Sequence, residues 1–328
     1  MIKLGIRVAN SITAGRGHFE RCFAISNHIS EKIFWFLDEK SYFFESRIKN
    51  NDEIIYEKNI TQISHMIKTV NENRINIILI DSYNIDINSI SYLSKKIPIC
   101  VFQDSSKLLD VQMIICPHPI ELLKHKNSIS LCGPMFAPIS SNFVYNKVTI
   151  EDDNINILIS MGTYDSLGVT LNIIKSIRKL SLNMKKSFKT RIVLGEGSPI
   201  INKIKELIKN DMNFNLITGT KDMNEIYNNT SIALGAPGLS HMERLYFGLP
   251  TILIAQNNIH ESSVDKWVSL GCGIKCENSI SSIQKKLSYV IKNKKIRYNL
   301  IKNGRNLVDG KGSLRIVEAM LKIVKIYD

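Results

Sequence analysis

The sequence lacks any long run of apolar residues. A membrane-spanning helix needs about 18 to 20 of them in succession, and the chain of 328 residues has no such run although 44% of it is hydrophobic. Its beginning, Met-Ile-Lys-Leu-Gly-Ile-Arg, resembles a strand and lacks the charged, apolar and cleavage regions of a secretory signal. We therefore expect a cytoplasmic protein that is long enough for roughly two domains with separate cores.

Cysteine is also scarce. The six cysteines are scattered, and most of them lie in apolar runs where a thiol behaves as a small buried hydrophobic group. The one close pair, Cys272-Gly-Ile-Lys-Cys276, has no second pair of ligands nearby, which a zinc site would need. We expect no disulfide framework, no metal site and no cofactor.

Two common nucleotide-binding motifs are missing. No glycine-rich turn carries the lysine and the spacing of a P-loop, and no Gly-x-Gly-x-x-Gly follows a predicted strand. These absences disfavour hydrolysis of a nucleoside triphosphate and hydride transfer from a dinucleotide.

Acidic residues are fewer than basic ones, so the formal net charge is +13. The surplus is +3 for residues 1–150 and +10 for residues 151–328. A basic half could attract a polyanion or an acidic membrane surface, but its lysines stand singly on helix-like stretches such as residues 203–209, which is typical of a solvated helix face. We expect no nucleic-acid partner, no membrane-surface partner and no obligate protein partner.

Short apolar runs alternate with segments of helical period along the whole chain. This alternation is typical of βαβ units and predicts an α/β protein with two Rossmann-like, doubly wound domains that face a central cleft. The expected domains are residues 1–142 and 153–310, with a helix at 311–328 that could cross back to the first domain. The predicted strands are residues 3–9, 33–37, 53–57, 76–81, 99–104 and 113–116, then 156–161, 190–194, 215–218, 231–235 and 251–255.

A glycine-rich turn connects the first strand to the first helix. It is Asn10-Ser-Ile-Thr-Ala-Gly-Arg-Gly-His-Phe-Glu-Arg21, in which Gly15 and Gly17 permit positive φ and a close approach of the backbone to a ligand. His18 then falls in the first turn of a helix, where free N–H groups favour an anion. The turn indicates a titratable base beside an anion site, although the glycines and the histidine could also serve the geometry of the turn alone.

Polar side chains follow two further strands of the first domain. Asp81-Ser-Tyr83 ends one strand and Gln103-Asp104 ends the next, so these groups should line the same crevice as His18. Asp81 or Asp104 could orient the imidazole or hold a sugar hydroxyl. Each could equally be a helix N-cap.

The second domain has two turns of this kind. Ser160-Met-Gly-Thr-Tyr-Asp165 leaves a strand and is expected to enter a helix at residue 166, which would offer backbone N–H groups to a phosphate. The run from Gly235 to Pro250 combines a glycine turn, a helix start with Ser240 and a carboxylate at Glu243. It suits a diphosphate on the helix N-terminus with the carboxylate on ribose hydroxyls. The alternative is a capping box between Ser240 and Glu243.

Taken together, these motifs resemble the UDP-sugar hydrolase family of pseudaminic-acid biosynthesis. The resemblance spans roughly residues 4–275, and residues 235–250 are its most specific part. It rests on Arg7, residues 15–21, Asp81-Ser-Tyr83, Asp104, Gly133-Pro134, Ser160-Met-Gly162, Asp165, Met223, residues 235–250 and Asn257-Asn258. It implies the two-domain glycosyltransferase-B architecture, related to the UDP-N-acetylglucosamine transferase that makes the peptidoglycan lipid precursor.

The resemblance also implies roles for individual residues. His18 matches the histidine that activates water, Met223 the backbone that meets uracil, and Glu243 the carboxylate that binds ribose. The residues implied to contact the sugar are Gly17, Arg21, Asp81, Tyr83, Asp104 and Asn257. Those implied to contact UDP are Gly15, Gly162, Asp165, Met223, Gly238, Leu239, Ser240 and Glu243.

The sequence departs from the family pattern mainly in the half that would bind the sugar. The family usually has aspartate where Ala9 and Gln103 stand, glycine at Thr163 and asparagine at Gly168. An Asn-containing segment usually replaces Cys116-Pro-His-Pro119. A UDP-sugar substrate is therefore better supported than the identity of the sugar.

Three hypotheses follow, and the first is favoured. The resemblance implies metal-independent hydrolysis of UDP-2,4-diacetamido-2,4,6-trideoxy-β-L-altropyranose with inversion at C1, releasing UDP and the free sugar for a nonulosonic acid used on surface polysaccharide or flagellin. A glycosyltransferase of the same fold would use an acceptor hydroxyl in place of water. A non-catalytic sugar-nucleotide sensor would bind UDP without turnover, and the presence of His18 argues against it.

Overall fold

The computed structural model describes residues 1–10, 16–56, 63–82, 86–104, 109–120, 128–146, 155–220 and 222–327. The chain forms two compact units. Unit 1 comprises Met1–Ser141 with Gly310–Asp328, and unit 2 comprises Asn142–Asp309. Each unit has its own parallel sheet and its own core.

The described part of unit 1 contains a seven-stranded sheet in the order β3-β2-β1-β4-β5-β6-β7, with every neighbouring pair parallel. The central strands β1 and β4 are buried over their whole length because helices cover both faces, which explains their continuous apolar runs. The strands are β1 Leu4–Val8, β2 Phe34–Leu37, β3 Glu53–Tyr56, β4 Ile77–Asp81, β5 Ile99–Phe102, β6 Met113–Cys116 and β7 Ile129–Cys132.

The helices of unit 1 pack on both faces of this sheet. One apolar cluster lies under the first and last helices, α1 and α12, and a second lies under α3 and α4. The helices are α1 Gly17–Ser26, α2 Tyr42–Glu45, α3 Ile63–Asn73, α4 Ile87–Ser94 and α12 Gly312–Tyr327, with a 3-10 turn at Pro134–Phe136.

The last helix belongs to unit 1 although it follows unit 2 in the chain. Its Arg315 Nη1 donates a hydrogen bond to the Met135 carbonyl at 2.8 Å. A Cβ placed on Gly312 would lie 2.1 Å from the Ala137 carbonyl oxygen, so only glycine permits this close approach. The apolar face of α12, including Ile316 and Met320, joins the core below α1.

Unit 2 repeats the plan, with a described sheet in the order β10-β9-β8-β11-β12-β13, again parallel throughout. Its strands are β8 Asn156–Ser160, β9 Lys189–Leu194, β10 Phe214–Thr218, β11 Ile232–Gly235, β12 Thr251–Ile254 and β13 Ile274–Cys276. Its helices are α5 Val169–Met184, α6 Ile201–Ile208, α7 Asn224–Asn228, α8 Leu239–Tyr246, α9 Asn258–Ser269, α10 Ile280–Lys292 and α11 Lys294–Leu307.

The strand order reverses between β1 and β4 in unit 1 and between β8 and β11 in unit 2. In open parallel sheets the carboxyl ends of the strands at such a reversal are the usual place for a ligand. The prediction of two Rossmann-like domains is confirmed.

Two edge strands and one helix start differ from the prediction. The edge strands β7 and β13 were not predicted because they are short and only partly buried, so they lack the apolar run of a central strand. Helix α5 begins at Val169, whereas residue 166 was expected.

In the described residues, no helix is both long enough and apolar enough to cross a membrane.

Candidate active site

His18 and Asp81 form a buried pair at the strand reversal of unit 1. The glycine turn ends at α1, so His18 stands in its first turn, while Asp81 is the last residue of β4. Nδ1 of His18 lies 2.6 Å from Oδ1 of Asp81, and both side chains are buried. Because a carboxylate can only accept, this contact assigns a proton to Nδ1, and in the neutral form of the imidazole Nε2 then keeps a lone pair. The pair can therefore act as an oriented general base.

Arg21, one turn further along α1, binds the same Asp81 carboxylate, and its Nη2 also lies 3.3 Å from Nδ1 of His18. Its Nη2 donates to Asp81 Oδ1 at 2.6 Å, and its Nε donates to Oδ2. Its Nη1 reaches Asp104 Oδ2 at 3.0 Å, and the guanidinium carbon lies 4.4 Å from the Phe102 ring centre. Such charge-assisted, bidentate contacts hold the Asp81 carboxylate in place, and the carboxylate in turn orients the His18 imidazole. Asp81 and Asp104 thus bind Arg21, while Asp86 is the N-cap of the helix that follows β4.

His118 extends this network, and the sequence analysis did not select it. Its Nε2 lies 3.7 Å from Asp104 Oδ1, beyond the carboxyl end of β6. A continuous series of side chains therefore runs from His18 through Asp81, Arg21 and Asp104 to His118. The available signal was the position of His118 after a strand, in the segment where the sequence departs from the family pattern.

Two thiols near this network are unsuited to be nucleophiles. Cys22 Sγ lies 3.8 Å from Asp81 Oδ2, and burial raises the pKa of the Cys22 thiol well above its usual value. Burial also raises the pKa of Cys116 to about 12, with a further contribution from the Asp104 carboxylate. Since the thiolate is the reactive form, both cysteines are inert near neutral pH.

The backbone that follows β1 and leads towards His18 is held by contacts with the ends of β2 and β4. Buried Arg7 forms an ion pair with Asp38, which follows β2. The Asn10 side chain accepts a hydrogen bond from the Asp38 amide at 2.7 Å, and the Ala9 amide donates to the Asp81 carbonyl at 3.0 Å. These contacts hold the start of the glycine turn beside β4.

Gly17 is exposed, and a Cβ added to it would meet no described atom within 4 Å. Packing in the described structure therefore gives no reason for glycine at this position, whereas a ligand approaching the backbone would. Gly15 and Tyr83, implied to contact UDP and the sugar, lie outside the described residues.

The Gly235–Ser240 turn of unit 2 presents backbone N–H groups at the start of α8. Gly238 is the N-cap and has no side chain with which to cap the helix, and Ser240 lies inside α8, so Ser240 is not the N-cap that a capping box with Glu243 would require. Leu239 and Ser240 are half-buried, and a Cβ on Gly238 would meet nothing within 4 Å. The first-turn N–H groups of an uncapped helix are a favourable anion site.

Glu243 lies one turn into α8, where its position is set by Tyr227. The Tyr227 hydroxyl donates to Glu243 Oε2 at 2.6 Å. Tyr227 in turn packs against Phe143 and Phe247, with ring centres 5.9 and 5.0 Å away. Met223 is the half-buried N-cap residue of α7 and packs against the same aromatic cluster. Its carbonyl accepts a hydrogen bond from the Tyr227 amide at 2.9 Å.

Asp165 organises the loop after β8 through backbone contacts. Its carboxylate accepts from the Val169 amide at 3.0 Å and the Thr170 amide at 2.8 Å, so it marks the true start of α5. Burial raises the pKa of this carboxyl group. Gln256 Nε2 donates to the Met161 carbonyl at 2.8 Å and joins the loops after β8 and β12.

Gly162 and Asn257 lie in the two loops that Gln256 joins, after β8 and β12 respectively. Gly162 has φ of +94°, which favours glycine, and a Cβ there would meet nothing within 4 Å. Asn257 is the N-cap of α9, and its side-chain oxygen accepts from the His260 amide at 2.8 Å. Their implied contacts with UDP and with the sugar stay predictions.

No protein-family model matches the chain. Among curated proteins, it is similar to the spore coat polysaccharide biosynthesis protein SpsG of Bacillus subtilis (strain 168), 24% identical over 173 residues. This match covers 51% of the chain and 50% of SpsG, so it spans only about half of that relative's length.

Solved structures resemble the whole chain. S. aureus MnaA, solved with UDP, is 13% identical with a TM-score of 0.71, and the match covers 99% of this chain and 97% of MnaA. The UDP-GlcNAc 2-epimerase of Neisseria meningitidis, solved with UDP-GlcNAc, is 15% identical with a TM-score of 0.64, covering 97% of this chain and 100% of the epimerase. These likenesses show the fold, two Rossmann-like α/β domains of the glycosyltransferase-B type.

Proposed function

We propose that the protein hydrolyses a UDP-linked 2,4-diacetamido-2,4,6-trideoxy sugar at C1 with inversion. The observation that carries the proposal is the buried contact of 2.6 Å between His18 Nδ1 and Asp81 Oδ1. It leaves Nε2 as the basic atom of a histidine in the first turn of α1, at the strand reversal of unit 1. Unit 1 is proposed to supply the catalytic base and unit 2 the nucleotide-binding turn.

In the proposed reaction, His18 Nε2 takes a proton from water as the water oxygen bonds to C1. The bond between C1 and the diphosphate oxygen breaks on the opposite face, and UDP leaves with the electron pair. A positioned base contributes typically about 10²- to 10⁴-fold in rate. Asp81 stabilises the imidazolium that forms, and Arg21 and Asp104 keep Asp81 in place.

The nucleotide is proposed to bind unit 2 at the start of α8. Gly238, Leu239 and Ser240 would contact the diphosphate through the turn, where the N-cap residue is a glycine without a capping side chain. Glu243 would accept from ribose hydroxyls, and its hydrogen bond with Tyr227 positions it for that role. The Met223 backbone would meet uracil.

The similarities agree with a sugar-nucleotide substrate. One similar structure was solved with UDP and another with UDP-GlcNAc. The curated relative is named for polysaccharide biosynthesis, which fits a product used on a cell surface.

Proton NMR of the protein with UDP-2,4-diacetamido-2,4,6-trideoxy-β-L-altropyranose, in buffer without metal or acceptor, tests the proposal. We expect the free sugar to appear first as the inverted anomer. The same experiment in D₂O detects 2-epimerase chemistry, because exchange at C2 would remove the H2 signal. Exchange at C2, or an unchanged donor beside measurable UDP binding, would contradict the proposed hydrolysis.

A glycosyltransferase is the second candidate, favoured by the departures at Ala9, Gln103, Thr163, Gly168 and residues 116–119. The same base and leaving group would serve, with an acceptor hydroxyl as the nucleophile. Release of UDP that requires an added acceptor, with negligible release in water alone, would decide for this candidate.

A further inference from the structure

Arg244, on α8, is a fully buried cation beneath the turn at the start of its own helix. Its Nη2 donates to the Ala236 carbonyl at 2.6 Å, and its Nη1 lies 3.3 Å from Ser240 Oγ. Its Nε has no hydrogen-bond partner among the described residues. Both recorded acceptors are uncharged, and both belong to the segment that carries the free N–H groups of α8.

Such a site is unfavourable for a guanidinium. Burial lowers the pKa of Arg244 to about 10, and electrostatic interactions with Tyr227 and with the Glu243 carboxylate oppose this shift only in part. Buried charges are normally paired with an opposite charge, because desolvation is costly. The same buried cation would become favourable once an anion occupied the start of α8.

Gly235 makes room for this cation. A Cβ on Gly235 would lie 2.6 Å from Arg244 Nη1 and 2.6 Å from the Ser160 carbonyl oxygen. Any larger residue would displace the guanidinium or the strand. The glycine at the end of β11 is thus explained by the arginine below it.

We propose that Arg244 is a positioning residue for the diphosphate. Its buried guanidinium, which contacts Ala236 and Ser240, would supply the counter-charge of the diphosphate. It holds the Ala236 carbonyl and the Ser240 hydroxyl in place, so that the N–H groups at the start of α8 point toward the anion. This inference rests on the proposed function, in which the turn binds the diphosphate of UDP. It makes Arg244 one of the residues that favour UDP over uridine.

Arg297 of the same unit provides the matched control. It is also buried, at 3% exposure, and its Nη1 donates to the Val290 carbonyl at 2.9 Å and to the Ile291 carbonyl. It therefore joins the end of α10 to α11 as a brace. If Arg244 were only a brace, substituting either arginine would lower stability and leave nucleotide preference unchanged.

The experiment measures calorimetric affinities of the full chain for UDP, UMP and uridine, together with urea unfolding, in wild type, Arg244→Met, Arg244→Lys and Arg297→Met. For Arg244→Met we expect UDP affinity to fall about 30-fold, the effect of one charge about 8 Å away at an effective dielectric constant near 20. Uridine affinity should change less than about twofold, and Arg244→Lys should recover most of the UDP affinity because it keeps the charge. Arg297→Met should leave all three affinities unchanged.

A ratio of UDP to uridine affinity that stays at the wild-type value in folded Arg244→Met would overturn the inference. If that variant does not fold, Arg244→Lys decides: a preserved ratio supports the counter-charge, and a lost ratio in a folded protein refutes it. Wild type that binds UDP no better than uridine would instead refute the proposed function, so the two failures are distinguishable.

Discussion

The two units share one strand plan but differ in what they place at the strand reversal. Unit 1 has charged side chains there, linked from His18 through Asp81 and Arg21 to Asp104. Unit 2 has glycines and the uncapped N-terminus of α8. The same fold thus provides a set of titratable groups in one unit and, as proposed above, a backbone anion site in the other.

The two buried arginines at these sites show the difference most clearly. Arg21 donates to two carboxylates, so its charge is balanced within the protein. Arg244 donates to a carbonyl and lies beside a hydroxyl. Direct pairing with carboxylates holds the side chains of unit 1 in place, whereas a buried cation with no direct carboxylate partner among the described residues would be stabilised by an anionic ligand.

The largest effect is expected from His18→Ala, which removes the proposed base of unit 1. Turnover of the UDP-sugar should fall about 10²- to 10⁴-fold, the usual contribution of a general base. UDP affinity, measured by calorimetry, should remain, since the proposed nucleotide-binding turn belongs to unit 2. His28→Ala is the control because His28 is exposed beyond the end of α1. Full activity in His18→Ala would remove this histidine from the mechanism.

Asp81→Asn should disturb the pairing of charges within unit 1. The amide can donate to Nδ1 and favour the wrong tautomer of His18, so kcat should fall about tenfold to thousandfold. Arg21 also loses a buried partner, at a cost of about 3 kcal/mol in the free energy of unfolding. Urea unfolding and initial rates measure the two effects. A normal kcat at normal stability would show that Asp81 does not orient the base.

Substituting two glycines of the unit 2 turn, one at a time, should separate an effect on stability from an effect on UDP affinity. Gly235→Ala should lower the free energy of unfolding by about 1–3 kcal/mol through overpacking, since its Cβ would meet Arg244 and the Ser160 carbonyl. Gly238→Ala should leave stability within about 0.5 kcal/mol and weaken UDP roughly tenfold by keeping the anion from the backbone. Thermal unfolding and calorimetry give both quantities. Equal UDP affinity in Gly238→Ala and wild type would mean that the anion does not approach this glycine.

The smallest effect is expected from Tyr227→Phe, which removes the hydrogen bond to Glu243. The carboxylate should become less well positioned for ribose, so UDP affinity should fall by about 1 kcal/mol, the net value of one such hydrogen bond. The matched control is Tyr246→Phe, whose hydroxyl instead donates to the Phe143 carbonyl at 3.1 Å. If both variants lose the same affinity, the effect is on packing and not on Glu243.

Much of the fold was predictable because local patterns report it. Burial on both faces makes central strands such as β1 and β4 continuous apolar runs, which are visible in the sequence. The first turn of α1 was located from its glycines. By contrast, α5 begins three residues later than expected because the Asp165 carboxylate accepts hydrogen bonds from the amides of Val169 and Thr170. Which backbone amides a carboxylate will bind cannot be predicted from the pattern of residue types.

The two parallel sheets, the glycine turns at their reversals and the histidine at the first of them could be predicted from residue types and their spacing along the chain. The three-dimensional structure was needed to show that Asp81 binds His18, 63 positions away. It was also needed to show that His118 joins the same network and that Arg244 is buried against the turn before α8. Such pairings depend on which strand ends are neighbours in the sheet, and that order is set by packing between elements far apart in the chain.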